Sequence, residues 1–218
     1  MSKIRCLVTA GPTREFFDPV RFISNPSTGK MGAAIAEAAR DFGWEVSLVL
    51  GPSALPRPQG INVENVTSAD DMLKACLKKF PACDILIMTA AVSDMRPKIK
   101  SPHKVKKDSL SMTVEFEQTP DILKTLSAQK KSQILVGFAA ETQNIEAYAK
   151  KKLEEKRLDA IAANCVAAQE AGFASDSNAV TLMFKDGERF AIPLASKSDV
   201  AKSLVAKLNR KFFNQQAI

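Results

Sequence analysis

The 218-residue chain reads as a doubly wound α/β protein built on a mostly parallel sheet. Three observations point there. Short apolar runs alternate with longer amphipathic stretches, the pattern of strands joined by crossover helices. One run, residues 84–90 (Asp-Ile-Leu-Ile-Met-Thr-Ala), is apolar almost without interruption, as a strand covered on both faces must be. Polar, function-bearing residues gather just after such runs, at 11–25, 89–94, 138–142 and Asn164, where open α/β sheets bind ligands.

Taken in order, residues 4–10 form the first strand and run into the Gly11-Pro12 turn. A polar loop follows, then a helix over about 29–42 that stops at Gly43. Residues 45–50 are the second strand. Residues 51–60, interrupted by Gly51, Pro52, Pro56, Pro58 and Gly60, hold no regular structure. A short strand at 61–66 leads to Ser68, which caps a helix burying Met72, Leu73, Cys76, Leu77 and Phe80. After strand 84–90 comes an irregular segment, 91–107, of a length that is functional or disordered. Residues 111–117 alternate as an exposed strand, and Thr119-Pro120 opens a helix with proline in its first turn. A strand at 133–138, a helix at 144–157 and a strand at 158–164 follow. Residues 179–184 and 189–192 form a hairpin around Lys185-Asp186-Gly187-Glu188. Ser198 caps a last helix with Val200, Leu204, Leu208 and Phe212 inside. Residues 1–218 make one domain without internal repeats, with residues at about 95–108 open to two readings, a solvated loop or a flexible lid.

Composition narrows the function. Apolar residues at 45% and charged residues at 25% are ordinary for a globular protein. No run can span a membrane and Met1-Ser2-Lys3-Ile4 does not start a signal peptide, which points to the cytoplasm and away from membrane partners. The four cysteines lack metal-ligand spacing, and Cys6 and Cys83 fall in strands as core residues, in keeping with a reducing compartment. The net charge of +7 favours anionic ligands. The basic stretch lacks the interleaved aromatics of a nucleic-acid surface, so none is expected as partner. A single histidine, His103, argues against histidine-based catalysis and against a protein-built metal site.

The organising stretch is residues 8–32. Gly29, Gly32, Ala33, Ala34 and Ala36 keep a helix start slim, and free amides there favour anions, with Arg14, Arg21, Asn25 and Lys30 around them. Two phosphate motifs fail: Gly29-Lys30 is followed by Met31 rather than Ser or Thr, and the dinucleotide fingerprint finds Ser27 at its first glycine. Asn25 is either a turn residue or a donor and acceptor for acyl transfer. Arg21 either pairs with phosphate or holds Asp18. Asp94 either meets a ribose or base or caps a turn. Arg96, Lys98, Lys100, Lys104, Lys106 and Lys107 read as a solvated loop or a basic lid. Lys152 and Lys156, one helical turn apart beside Tyr148, either solubilise the helix or bind phosphate. Phe138 closes the core or stacks on a base. Residues alone stop at a protein binding a phosphorylated small molecule, a nucleotide, without naming a reaction.

Seven blocks occur in order: Gly11-Pro12-Thr13-Arg14-Glu15, Asp18-Pro19-Val20-Arg21-Phe22-Ile23-Ser24-Asn25, Ser27-Thr28-Gly29-Lys30-Met31-Gly32, Ala90-Ala91-Val92-Ser93-Asp94, Lys104-Val105-Lys106-Lys107, Gly137-Phe138-Ala139-Ala140-Glu141-Thr142 and Ala163-Asn164. Together they resemble the phosphopantothenate–cysteine ligases of coenzyme A biosynthesis, over almost the whole chain. The resemblance implies a Rossmann-like sheet with a small β appendage for dimerisation, at residues 111–117 or the late hairpin. It implies activation of 4′-phosphopantothenate by CTP with Mg²⁺, through an acyl-nucleotidylate, and amide formation with cysteine. By position it assigns Asn25, Arg21 and Lys104 to catalysis, Asn25, Arg21 and Ala91 to the acyl substrate, and Ala90, Asp94, Lys104, Pro120, Asp121, Ile122, Leu123, Phe138, Lys152 and Lys156 to the nucleotide. In most bacteria the domain follows a flavin-dependent decarboxylase, so the chain is expected to be a stand-alone ligase or half of a bifunctional protein, with such a decarboxylase as associate. Cys165 stands where the family usually has Asp, and Pro26 and Thr28 alter the Asn25 loop. A dinucleotide-dependent oxidoreductase and a non-catalytic nucleotide-binding subunit are the rival readings.

Overall fold

A computed structural model describes residues 3–109, 113–141, 145–165 and 175–214. Its elements are, in order, β1 (Arg5–Ala10), β2 (Arg14–Phe16), β3 (Phe22–Ser24), α1 (Lys30–Asp41), β4 (Glu45–Leu50), β5 (Asn62–Asn65), α2 (Ala69–Lys79), β6 (Ile85–Met88), β7 (Met95–Pro97), β8 (Phe116–Gln118), α3 (Ile122–Ala128), β9 (Ile134–Glu141), α4 (Ile145–Glu155), β10 (Ala160–Cys165), β11 (Ser177–Phe184), β12 (Arg189–Ser196) and α5 (Lys197–Phe212). Ser111, Asn144, Thr142 and Val166, picked out from the sequence, lie outside the described residues.

The central sheet runs β12-β11-β10-β9-β6-β1-β4-β5. The six strands from β10 to β5 are parallel, and β11 and β12 close one edge as an antiparallel hairpin. Successive strand residues point to opposite faces, and both faces are apolar. Val8, Leu48 and Ile87 pack beneath α1 and α5, whereas Leu7, Leu86 and Leu135 pack beneath α2, α3 and α4. Each such fully buried side chain contributes about 2 kcal/mol over its exposed state. The doubly wound reading of the sequence is therefore what the layers show. Cys6, Cys76 and Cys83 are buried and free, and burial pushes the Cys76 and Cys83 thiols up to about 12, which leaves them unreactive.

The chain order decides where a ligand can sit. From β1 it winds outward through β4 to β5, then returns to β6 on the other side of β1 and continues to β9 and β10. The winding direction reverses between β1 and β6, and the crevice beyond their carboxyl ends is the switch point at which such sheets bind ligands.

Several boundaries differ from the sequence reading. Helix α3 begins two residues later than the Thr119-Pro120 start. Its N-cap is Asp121, whose carboxylate accepts from Lys124 N at 3.0 Å. Thr119 is held elsewhere, donating from its backbone to Asp94 O at 3.1 Å and from its hydroxyl to Ser93 O. Helix α5 is capped by Ser196, accepting from Asp199 N at 3.1 Å, rather than by Ser198, because β12 runs straight into the helix. Ser68 caps α2 as expected, in a reciprocal box with Asp71. The polar loop after β1 contains a hairpin, β2–β3, and β7 pairs with β8. These three-residue strands carry no apolar run to announce them. Phe16 and Phe22 hold the hairpin with ring centroids 5.2 Å apart, Arg14 stacks 4.5 Å over Phe22, and Phe17 meets Phe116 edge-on at 6.0 Å.

Candidate functional site

A cleft of about 730 Å³ opens at the switch point, within the size range of small-molecule sites. Its floor is Met88 to Val92, where the chain leaves β6, and one wall is the start of α1. That wall can come close because Gly32 faces it: a Cβ there would lie 2.3 Å from Thr89 Oγ1 and 2.4 Å from Ala10 Cβ. Gly29, the N-cap, adopts φ +81°, a left-handed conformation open to glycine at little cost.

Asn25 hangs over the floor from the end of β3. Its Nδ2 donates to Ala91 O at 3.2 Å and to Val92 O at 3.0 Å. It is thus not a turn residue bonded to its own backbone. The two carbonyls fix the amide's sense, leaving Oδ1 as an acceptor. The floor is itself immobilised: Ala91 N donates to Gly11 O at 2.9 Å, Thr13 N to Ala91 O at 3.3 Å, and Ala90 N to Thr9 Oγ1 at 3.3 Å. The N–H groups of Ala90 and Ala91 are therefore engaged within the protein.

Opposite α1 the cleft is lined by Pro120, Asp121, Ile122 and Leu123 at the start of α3, by Phe138 on β9, and by Lys152 on α4 and Lys156 just past its end. Phe138 also packs against the α1–α5 core, so it serves both the core and the cleft. Lys156 Nζ lies 3.0 Å from Asp121 Oδ2. Asp94 sits at the exposed mouth. The fold thus gathers Asn25, Ala90, Ala91, Asp94, Pro120, Asp121, Ile122, Leu123, Phe138, Lys152 and Lys156 around one cavity.

Arg21 and Lys104 are not part of its lining. Arg21 Nη1 donates to Asp18 Oδ2 at 3.1 Å and its Nη2 to Val105 O at 3.2 Å. Asp18, fully buried, also accepts from Val20 N and Arg21 N at 2.8 Å and from Val105 N at 3.2 Å. The Val20 N–H first, then those of Arg21 and Val105 and the guanidinium, hold this carboxyl below the usual carboxylate range against its burial. Arg21 and Asp18 together grip both backbone groups of Val105. Ser101 N adds a bond to Phe17 O at 2.8 Å, so the basic segment around Lys104 is docked on the β2–β3 hairpin.

Residues 1–212 match the model of the DNA/pantothenate metabolism flavoprotein C-terminal domain. The chain belongs to this family. Among relatives, it is 53% identical over 203 residues to the coenzyme A biosynthesis bifunctional protein CoaBC of Bacillus subtilis, covering 93% of this chain and 50% of that protein. It is 45% identical over 205 residues to the CoaBC of Vibrio vulnificus, covering 93% and 51%. The chain therefore spans about half the length of the curated relatives it matches. The crystal structure of the C-terminal domain of a CoaBC protein superposes with a TM-score of 0.82 at 45% identity, covering 97% of this chain and 96% of that one.

Within this family domain the cleft wall also takes in Asn164, which the sequence places at a strand end, and Asn178 and Lys197, which sequence reasoning passed over. Ala179 N donates to Asn178 Oδ1 at 3.0 Å and Asn164 Nδ2 to the same oxygen at 2.9 Å, so a backbone N–H sets the sense of both amides. Among the described residues, Asn164 Oδ1 is buried without a partner. Lys197 was hidden by the choice of cap. Placing the cap at Ser196 makes Lys197 the first residue of α5, at the rim rather than in a linker.

Proposed function

We propose that the chain is the ligase part of coenzyme A biosynthesis, joining 4′-phosphopantothenate to L-cysteine. The observation that carries this reading is convergence: Asn25, Asp94, Phe138, Lys152 and Lys156, far apart in sequence, line one cleft at the switch point. The CoaBC names of the relatives support it.

In the first step a carboxylate oxygen of 4′-phosphopantothenate attacks the α-phosphorus of CTP and pyrophosphate leaves. In the second, the amino group of cysteine attacks the acyl carbon, the C–O bond to CMP breaks, and the nitrogen loses a proton. Asn25 suits the second step. Its amide is locked by two backbone carbonyls, so its Oδ1 can accept from the incoming amine without reorganising. Phe138 offers a ring face to the base, and Lys152 and Lys156 offer charge to phosphates. Mg²⁺ would neutralise the triphosphate. Among the described residues no group of three or more His, Cys, Asp or Glu is placed to hold a metal, so phosphate oxygens and water would supply most of its ligands. Lys104 acts from the basic segment once that segment leaves the hairpin and covers the cleft, with Arg21 released at the same time to face the acyl substrate. The exposed Phe22, Met95, Val114 and Phe116 of the appendage support a homodimer built through it, and the bifunctional CoaBC relatives, of which the chain spans about half, support a decarboxylase as associate. No described helix is long and apolar enough to cross a membrane.

The test is turnover with 4′-phosphopantothenate, cysteine, Mg²⁺ and each of the four nucleoside triphosphates. Pyrophosphate release that requires the acyl substrate, and CMP release that requires cysteine as well, both fastest with CTP, are expected. Absence of release with every triphosphate would overturn the ligase reading, and preference for ATP would overturn only the choice of nucleotide.

A further inference from the structure

The cleft receives cations from both faces of the sheet. Lys152 and Lys156 reach it from α4, which packs on the Leu7–Leu86 face. Lys30 and Lys197 reach it from the first residues of α1 and α5, on the Val8–Ile87 face. The second pair is the more unusual. Lys197 is 7% exposed, and lysines are rarely so buried outside a specific role. Its Nζ donates to Ser175 O. Lys30 Nζ lies 2.5 Å from Asp176 Oδ1, a carboxylate whose side chain is 85% exposed. Burial first, then the neighbouring Lys30 ammonium, hold Lys197 below the ordinary lysine range against the pull of Asp176. Bringing two ammonium groups together at a cavity wall works against folding. The arrangement is explained if an oxyanion enters between them. The Asn178 amide, held by Ala179 N–H, borders the same space.

We propose that Lys30 and Lys197 form a second phosphate subsite, separate from the one under Lys152 and Lys156. The inference rests on the ligase reading for the identity of the ligand. A phosphate there comes either from the β,γ-phosphates of the nucleotide or from the terminal phosphomonoester of the acyl substrate. Asp176 is the group the phosphate displaces from Lys30.

The experiment compares wild type with Lys197→Gln, Lys197→Met and Lys30→Gln by calorimetric titration. Three ligand sets are used: CTP against CMP, 4′-phosphopantothenate against pantothenate, and inorganic tripolyphosphate alone. Losing one charge-assisted contact should shrink the affinity gained from the extra phosphate by about ten- to a hundredfold. Shrinkage of the CTP-over-CMP gain assigns the subsite to the nucleotide tail. Shrinkage of the phosphopantothenate-over-pantothenate gain assigns it to the acyl substrate. Either supports the proposal, provided Lys197→Arg restores part of the loss. Gains unchanged in all three variants overturn it. If wild type binds neither CTP nor 4′-phosphopantothenate, the ligase reading fails, and tripolyphosphate then decides alone. Binding that is lost in the variants keeps the subsite, and equal or absent binding removes it. Thermal unfolding separates a structural role: a lysine held for its ligand should lose little melting temperature in Lys197→Met, since relief of a buried charge beside Lys30 offsets the lost bond to Ser175 O. Lys30, more accessible than Lys197, keeps the test open should Lys197 variants fail to fold.

Discussion

Asn25 and Arg21 are four positions apart and belong to the same motif block, yet they end in different surroundings. Asn25 reaches across to the carbonyls of Ala91 and Val92 and overhangs the cleft. Arg21 turns the other way, to Asp18 and Val105. The difference comes from the hairpin between β2 and β3: Arg21 sits at its turn and Asn25 just past its end, where the chain returns to the sheet. The rim of the sheet is built of backbone that is bonded on both sides, which suits a site that must hold its shape. The basic segment is docked by the Arg21 and Asp18 side chains on Val105 and by one backbone bond, Ser101 N to Phe17 O, a small set of bonds that suits a segment that docks and releases.

The sharpest way to break this contrast is Asn25→Asp. The fold should persist, because the side chain is only partly buried, but a carboxylate cannot donate to the two carbonyls. Amide formation should fall by about 10²- to 10³-fold, with acyl-nucleotide accumulating in a quenched single-turnover assay. Wild-type turnover would remove Asn25 from the chemistry.

A second prediction concerns a buried carboxylate far from the cleft. Asp159, 1% exposed, takes Lys130 Nζ at 2.5 Å, Lys185 Nζ at 2.9 Å and Leu135 N at 2.9 Å. Burial pushes its carboxyl up, but the bonds from Lys130, Leu135 and Lys185 outweigh it and hold it below the usual range. Its stabilisation is then complete above the ordinary carboxylate value near 3.9 and is lost as pH falls through the lower folded-state value. Asp159→Asn should cost about 3 kcal/mol in urea unfolding at neutral pH, flatten the acid limb of the stability profile, and leave kcat untouched. An unchanged acid limb would show that other carboxylates govern it.

The smallest expected effect is the most specific to the appendage. Asp18→Asn removes the shared acceptor for Arg21 and Val105. Trypsin cleavage within the Lys98–Lys107 stretch should speed up by a few-fold, since local opening sets such rates, while global stability changes little beside that of Asp159→Asn. Cleavage at the wild-type rate would mean that Ser101 and Phe17 dock the segment alone.

Much of this protein was legible in one dimension. The alternation of apolar runs with amphipathic stretches determined the layers, because burial on both faces of a parallel strand leaves no freedom in residue type. The motif blocks located most of the cleft lining, since strand ends in such a sheet share one rim. Three things were decided only by packing. Strands β2, β3 and β7 are too short to carry a periodic signal, and among the described residues the alternation of 111–117 overlaps β8 only at Phe116 and Glu117; the Phe16–Phe22 and Phe17–Phe116 contacts made across the chain hold them. The fates of Arg21 and Lys104 depend on which partner is near in space, and Asp18 and Val105 supply it. The role of Lys197 turned on whether Ser196 or Ser198 caps α5, two equivalent hydroxyls in sequence that differ only in where β12 stops. Periodicity records which side of an element is buried. It does not record what lies opposite, and a site is made of what lies opposite.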